Sequence, residues 1–179
     1  METGEFFDAA EILPPHLRDF MTITEIDSGS FLAGRLFEHK FRQTIPPFPR
    51  HLVALYRDRT NDGLYVASFS HMRPMGDVYL SGGSCSSGDT YRRMAPEERQ
   101  ALSDAGGPWY FILKYAFRKY AACCDAFFGY CGDARALDVA QHAGFILTQH
   151  QHLIVHWQKP LAPERQAQLI EYAHGLGPF

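Results

Sequence analysis

The sequence holds no apolar run of the roughly 18 residues needed to cross a bilayer, so no membrane span is expected. It also lacks an excess of positive charge. The formal net charge is -3, which removes the electrostatic reason to expect nucleic acid or an anionic membrane as a partner. The first residues, METGEFFDAAEILPP, lack the basic flank and apolar stretch of a secretory signal, and the expected address is cytoplasmic. Cysteine is scarce. Cys85, Cys123, Cys124 and Cys131 follow no zinc spacing, and neighbouring Cys123 and Cys124 are poorly placed to bridge one another. Reduced thiols and no metal site follow. Internal repeats and long linkers are absent too, so residues 1–179 are expected to form a single domain. Residues 1–19 are its lead-in and residues 160–179 carry its C-terminal helix. Apolar side chains are not scarce: at 46% hydrophobic and 14% aromatic content, a chain of this length can build a packed core.

Along the chain, residues 20–26 alternate and are rich in β-branched side chains, which predicts a strand. Asp27 or Ser28 caps a helix to about Arg42, with Phe31, Leu32, Leu36, Phe37 and Phe41 on its inner side. The proline-rich segment 45–49 breaks it. Strands are expected at about 51–57, 64–72 and 78–85, joined by turns at Asn61-Asp62-Gly63 and Met75-Gly76-Asp77. Residues 81–88 are nearly all Ser, Gly or Cys, so their backbone lies open to a ligand; a loop would have the same composition. One helix is expected within 91–104. Gly106-Gly107-Pro108 then starts the next, from Trp109 to about Ala122, with Trp109, Ile112, Leu113, Ala116, Phe117, Tyr120 and Ala121 inward.

The stretch 125–157 carries the clearest pattern. Phe127, Phe128 and Tyr130 form a short strand. Asp133 can cap the following helix by accepting from its free N–H groups. Ala136, Leu137, Ala140 and Gln141 give that helix a small, mostly apolar face, and Gly144 stops it. Strands follow from Phe145 and from His152 to Trp157, and a last helix spans 163–174 with Leu169, Ile170 and Ala173 on one side. The element order is that of a mixed α/β (α+β) fold.

From residue 20 to residue 157, this order resembles the GNAT superfamily of acetyl-CoA-dependent N-acetyltransferases. Members carry Asn-x-x-Ala-x-x-x-Tyr-x-x-x-Gly-Phe on the helix after the fifth strand. The same spacing here reads Asp133, Ala136, Ala140, Gly144 and Phe145. The second family signature is a Gly-containing loop that binds the cofactor pyrophosphate at a helix N-terminus, where unpaired N–H groups and the dipole favour an anion. It falls on residues 103–108, with Ser103 at its basic or amide position and Pro108, which has no N–H, at its last small position. The resemblance implies a central, mostly antiparallel mixed sheet of six to seven strands flanked by helices. It implies acetyl-CoA, or another acyl-CoA, as co-substrate and an amine acceptor as partner. Gly82, Gly83, Ser84 and Cys85 would lie along the pantetheine arm where the fourth strand splays from the fifth. Gly106, Gly107, Trp109 and Asp133 would complete the cofactor site. Homodimerisation is left open.

Acyl transfer to an amine needs a free amine lone pair, donors to the oxyanion and a proton for the leaving thiolate. Ala140 stands at the family's acid Tyr, so Tyr130, at the end of the fifth strand, is the expected acid, ahead of Cys131 and His142. The central strands hold no Glu, which leaves His71, and next to it Asp77, as candidate bases. Cys85 would act as a nucleophile only with a lowered pKa. His150, His152 and His156 read as a polar sheet face. The competing expectation is a GNAT-like module without catalysis, holding an acyl thioester, an acyl carrier or a protein partner.

Overall fold

A computed structural model of the protein describes residues 9–47 and 50–179. One seven-stranded sheet organises the chain, in the order β1-β2-β3-β4-β5-β7-β6. Its strands are β1 (Met21–Ile26), β2 (Arg50–Asp58), β3 (Gly63–Met75), β4 (Val78–Ser86), β5 (Ala126–Tyr130), β6 (Ile146–Leu147) and β7 (Leu153–Trp157). β4 and β5 pair in parallel, and every other neighbour pair is antiparallel. The helices are α1 (Gly29–Phe41), α2 (Gly88–Arg93), α3 (Pro96–Asp104), α4 (Gly107–Lys119), α5 (Ala134–Ala143) and α6 (Pro163–Gly175). This is the mixed, mostly antiparallel sheet flanked by helices that the sequence predicts. Among the described residues no helix is long and apolar enough to cross a membrane.

The sheet separates two apolar layers. On one face α4 and α5 bury Ile112, Leu113, Ala116 and Ala140 against Leu52, Ala54, Met72, Tyr79 and Phe127. On the other face α1 covers Val53, Phe69 and Cys85, and α6 covers Val78, Leu80, Phe128, Leu153 and Val155. Leu80 and Cys85 share this second face although they are five residues apart, an odd separation that regular alternation forbids. A bulge resolves the parity. Ser70 pairs with Ser84 and Met72 with Ser81, so Gly82 and Gly83 together stand opposite the single residue His71. The extra residue leaves the ladder and turns the strand.

Several sequence expectations are corrected. Phe31 is 86% exposed and Leu32 is exposed as well, so neither belongs to the inner side of α1. That face is Gly29, Ala33 and Phe37. Gly29 lies so close to the sheet that a Cβ would come within 2.8 Å of the Phe69 ring; the helix is drawn in by small residues rather than large ones. The helix expected within 91–104 is present as α3, and a further helix, α2, precedes it, the two divided at Met94 and Ala95. Pro96 disfavours the helical region for the residue before it. In α4, Phe111 and Tyr115 are buried, while Ala121 lies beyond the helix and is exposed. On α5, Ala143 rather than Gln141 completes the buried face.

Candidate functional site

β4 and β5 pair over four positions only, from Val78↔Ala126 to Ser81↔Gly129. Beyond Ser81, β4 bulges and stays with β3, while β5 ends at Tyr130 and the chain turns into α5. The sheet therefore opens between its two central strands, and three adjoining cavities occupy the opening. The middle one, about 350 Å³, lies between Gly82–Ser84 and Gly129–Asp133, with Trp109 and Ala136 at its side. It shares Lys40, Ser84, Trp109 and Ala136 with a cavity of about 570 Å³ at the N-termini of α4 and α5. It shares Phe41, Gly82, Gly83 and Phe179 with a cavity of about 520 Å³ on the α1 side of the sheet. The result is one continuous cleft from helix N-termini, through the split sheet, to an aromatic-lined chamber.

The chain reaches this geometry by local means. Gly106 and Gly107 have φ of 105° and 84°, conformations that strongly favour glycine, and they turn the chain into α4 with Pro108 in its first turn. Asp133 caps α5, its Oδ1 accepting from Ala136 N at 2.8 Å. Gly144, with φ of 120°, ends α5, and its N–H donates to the carbonyls of Ala140 and Gln141. Lys40 from α1 and Arg135 from the first turn of α5 both line the helix-terminus cavity. Among the described residues lining that cavity there is no carboxylate. Asp104, close in sequence, instead accepts from Gln100 Nε2 at 2.7 Å. Trp109 stands at the junction of the two cavities, and its indole Nε1 is buried with no hydrogen-bond partner among the described residues.

The expected residues Gly82, Gly83, Ser84, Cys85, Gly106, Gly107, Trp109, Asp133, Tyr130 and His71 all line this cleft. Their individual states differ. Ser84 Oγ is bonded to Ser70 Oγ at 2.7 Å. The Cys85 carbonyl accepts from Ser68 Oγ at 3.0 Å, and burial pushes its thiol pKa up to about 11, which removes Cys85 as a nucleophile. The Tyr130 hydroxyl is hydrogen-bonded to His174 Nδ1 at 3.1 Å, and its ring meets the Phe179 ring edge-on at 5.1 Å. The His174 ring stacks on His150 at 3.6 Å. His150 Nε2 donates in turn to Glu171 Oε1 at 2.7 Å, holding that carboxyl below its usual pKa. A chain of polar groups thus runs from the solvent edge of α6 to the cleft.

Other candidates fall away. Asp77 lies at the β3–β4 turn, ion-paired with Arg165 and outside the cleft. His142 is exposed and bonded to the Asp138 carbonyl. His150, His152 and His156 do not share a face. A turn with His152 at φ of 66° separates His150 from β7, and His156 stacks on Phe117 at 3.8 Å and donates to the Gly144 carbonyl. Sequence reasoning missed Lys40, Arg135, His174 and Phe179 as residues of the cleft. Of these only Arg135, two residues after the cap Asp133, carried a local signal.

His71 is almost fully buried beneath the bulge. Burial and then its neighbour His51 push its pKa down to about 4, so it is neutral at pH 7. The unfolded chain takes up this proton near pH 6.5, the folded chain near 4. The stability tied to neutral His71 is therefore complete above pH 6.5 and is lost as pH falls from 6.5 to 4, by about 3 kcal/mol. Denaturant titrations of the wild type and His71→Asn between pH 7 and 4 should show a flatter profile in the variant. Superimposable slopes would refute the assignment.

No family model matches the chain, and no curated protein matches it by sequence. Among solved structures it is similar to the ribosomal-protein-S18-alanine N-acetyltransferase from Escherichia coli, at 11% identity and a TM-score of 0.49, over 80% of this chain and 97% of that one.

Proposed function

We propose that the protein is a GNAT-type N-acyltransferase that moves an acetyl or other short acyl group from acyl-CoA to an amine in the cytoplasm. The observation that carries this reading is the parting of β4 from β5 after Ser81 and Gly129, which exposes a glycine-lined strand edge in the middle of the sheet. An extended thioester arm fits there as an added strand, because Gly82 and Gly83 present no side chain to it. The cationic end of the cleft, with Lys40, Arg135 and two helix N-termini and no carboxylate among the described lining residues, suits the phosphates of such a donor.

The chain's own groups then divide the work. The bulge at Gly82 and Gly83 supplies backbone N–H donors to the developing oxyanion. The amine nitrogen bonds to the thioester carbonyl carbon, the carbon–sulfur bond breaks and the thiolate leaves with the electron pair. Tyr130 gives its phenolic proton to that sulfur and recovers one from the amine through His174 and solvent. The products are an amide and a free thiol.

Two measurements test this reading. Acetyl-CoA with an amine panel should release free thiol; donor binding without release from any amine would favour a binding module, the reading supported by the buried Ala140 at the usual Tyr position. Replacing both Lys40 and Arg135 by Ala should weaken CoA by about tenfold, about 1.4 kcal/mol, and leave phosphate-free pantetheine unchanged. Equal weakening of both ligands would displace the phosphate site.

A further inference from the structure

Glu171, His150 and His174 lie outside the three cavities, yet they converge on Tyr130 from two separate elements. Glu171 and His174 are three residues apart on α6, where side chains at that spacing lie side by side. His150 belongs to the turn between β6 and β7, and that turn is tightly bonded. The His150 N–H donates to Thr148 Oγ1 at 3.1 Å, Thr148 Oγ1 donates to the Leu153 carbonyl at 2.9 Å, and the Leu153 N–H donates to the His150 carbonyl at 3.2 Å. Two side chains of the turn reach α6 at a single atom. Glu171 Oε1 accepts from His150 Nε2 at 2.7 Å and from Gln149 Nε2 at 2.9 Å.

The consequence falls on the orientation of one ring. An imidazole on an exposed helix turn rotates freely about its outer torsion, and His174 is exposed. The His150 ring lies flat against it, with 3.6 Å between centroids and 7° between planes. Tied to Glu171, the His150 ring leaves His174 one plane, and in that plane Nδ1 stands 3.1 Å from the Tyr130 hydroxyl. The Glu171 side chain is 59% exposed. Exposed pairs of this kind contribute little to stability, so the arrangement does little for the fold. The chemistry asked of Tyr130 gives it a use. A phenol whose hydrogen is committed to His174 cannot pass it to sulfur. That hydrogen is free when His174 Nδ1–H donates to the phenolic oxygen, and the same N–H then stabilises the phenolate as it forms.

We propose, resting on the acyltransferase reading, that Glu171 and His150 are positioning residues that hold His174 Nδ1–H on the Tyr130 oxygen. Tyr130 passes its proton to the thiolate sulfur, Nδ1 passes its own to the phenolate, and Nε2 takes up through solvent the proton that the amine nitrogen loses. The net transfer is one proton from nitrogen to sulfur.

Glu171→Ala and His150→Ala should each lower kcat by about ten- to a hundredfold, with KM for acetyl-CoA and the thermal midpoint unchanged. Glu171→Gln, which keeps an acceptor for His150, should recover most of the loss. In a Tyr130→Phe background the same two Ala changes should cost nothing further, because their effect passes through the hydroxyl. Losses that multiply in that background, or full kcat in Glu171→Ala, would overturn the inference and leave the acyltransferase reading standing. Ring ¹⁵N shifts of His174 give a readout that needs no turnover: Nδ1 should be protonated in the wild type, and its signal should change in Glu171→Ala. If the signal responds in this way and no amine releases thiol, the positioning stands and the acyltransferase reading fails. An unprotonated Nδ1, or a signal unchanged in Glu171→Ala, would overturn the inference.

Discussion

Tyr130→Phe is expected to lower kcat for acyl transfer by about 10²- to 10³-fold while leaving donor binding unchanged. The substitution keeps the ring, and with it the contact to Phe179 and the packing at the end of β5. It removes only the hydroxyl of this cavity-lining residue, which is bonded to His174 Nδ1 at 3.1 Å. A residue that merely fills space would tolerate the change. His174→Gln offers a finer test, since it keeps a hydrogen-bonding side chain but cannot titrate. If His174 reloads Tyr130, His174→Gln should lower kcat while KM for the donor stays fixed. Full activity in Tyr130→Phe would move the acid elsewhere. The helix face cannot supply it, because Ala140 stands there fully buried.

Gly82→Ala should destabilise the fold by about 3 kcal/mol. A Cβ at this position would lie 2.0 Å from His71 Nε2 and within 2.7 Å of two further ring atoms. The ring has little room to withdraw, being packed between Phe37 and Phe69 with centroids 5.9 and 6.2 Å away. Removing the ring should relieve the clash, so the double variant Gly82→Ala with His71→Ala should cost less than the sum of the two single changes, a coupling that a double-mutant cycle reads directly. Gly34→Ala on α1, whose new Cβ would meet nothing closer than Ser30 at 4.0 Å, should be neutral or slightly stabilising. Thermal or denaturant midpoints of the four variants decide the matter. Additive losses would mean that the bulge and His71 are not in contact.

What could be read from the sequence was local. Asp133 as cap, Gly144 as helix stop and the paired strands around β7 all follow from signals within a few residues, and the structure places them as expected. Tyr130 and the glycines of β4 reach the cleft because strand ends and small-residue runs mark it in advance. The misreadings arise where partners are distant. The inner face of α1 is set by how closely Gly29 approaches Phe69 and His51 on the sheet, and apolar periodicity favours bulky Phe31 instead. The bulge opposite His71 exists only in the pairing of β3 with β4. His174 and Phe179, 44 and 49 residues further along the chain, meet Tyr130 through the docking of α6. Lys40 and Arg135 share one cavity, yet each alone reads as a solvated surface charge.

The parting of β4 from β5 as a donor groove is tested most directly by titrating the isotopically labelled protein with CoA and following its backbone amides. The expected result is saturable binding, with the largest shifts at Gly82, Gly83 and Ser84 on β4 and at Gly107, Trp109 and Arg135 at the helix N-termini. No shifts at saturating CoA, or shifts confined to residues outside this cleft, would contradict it.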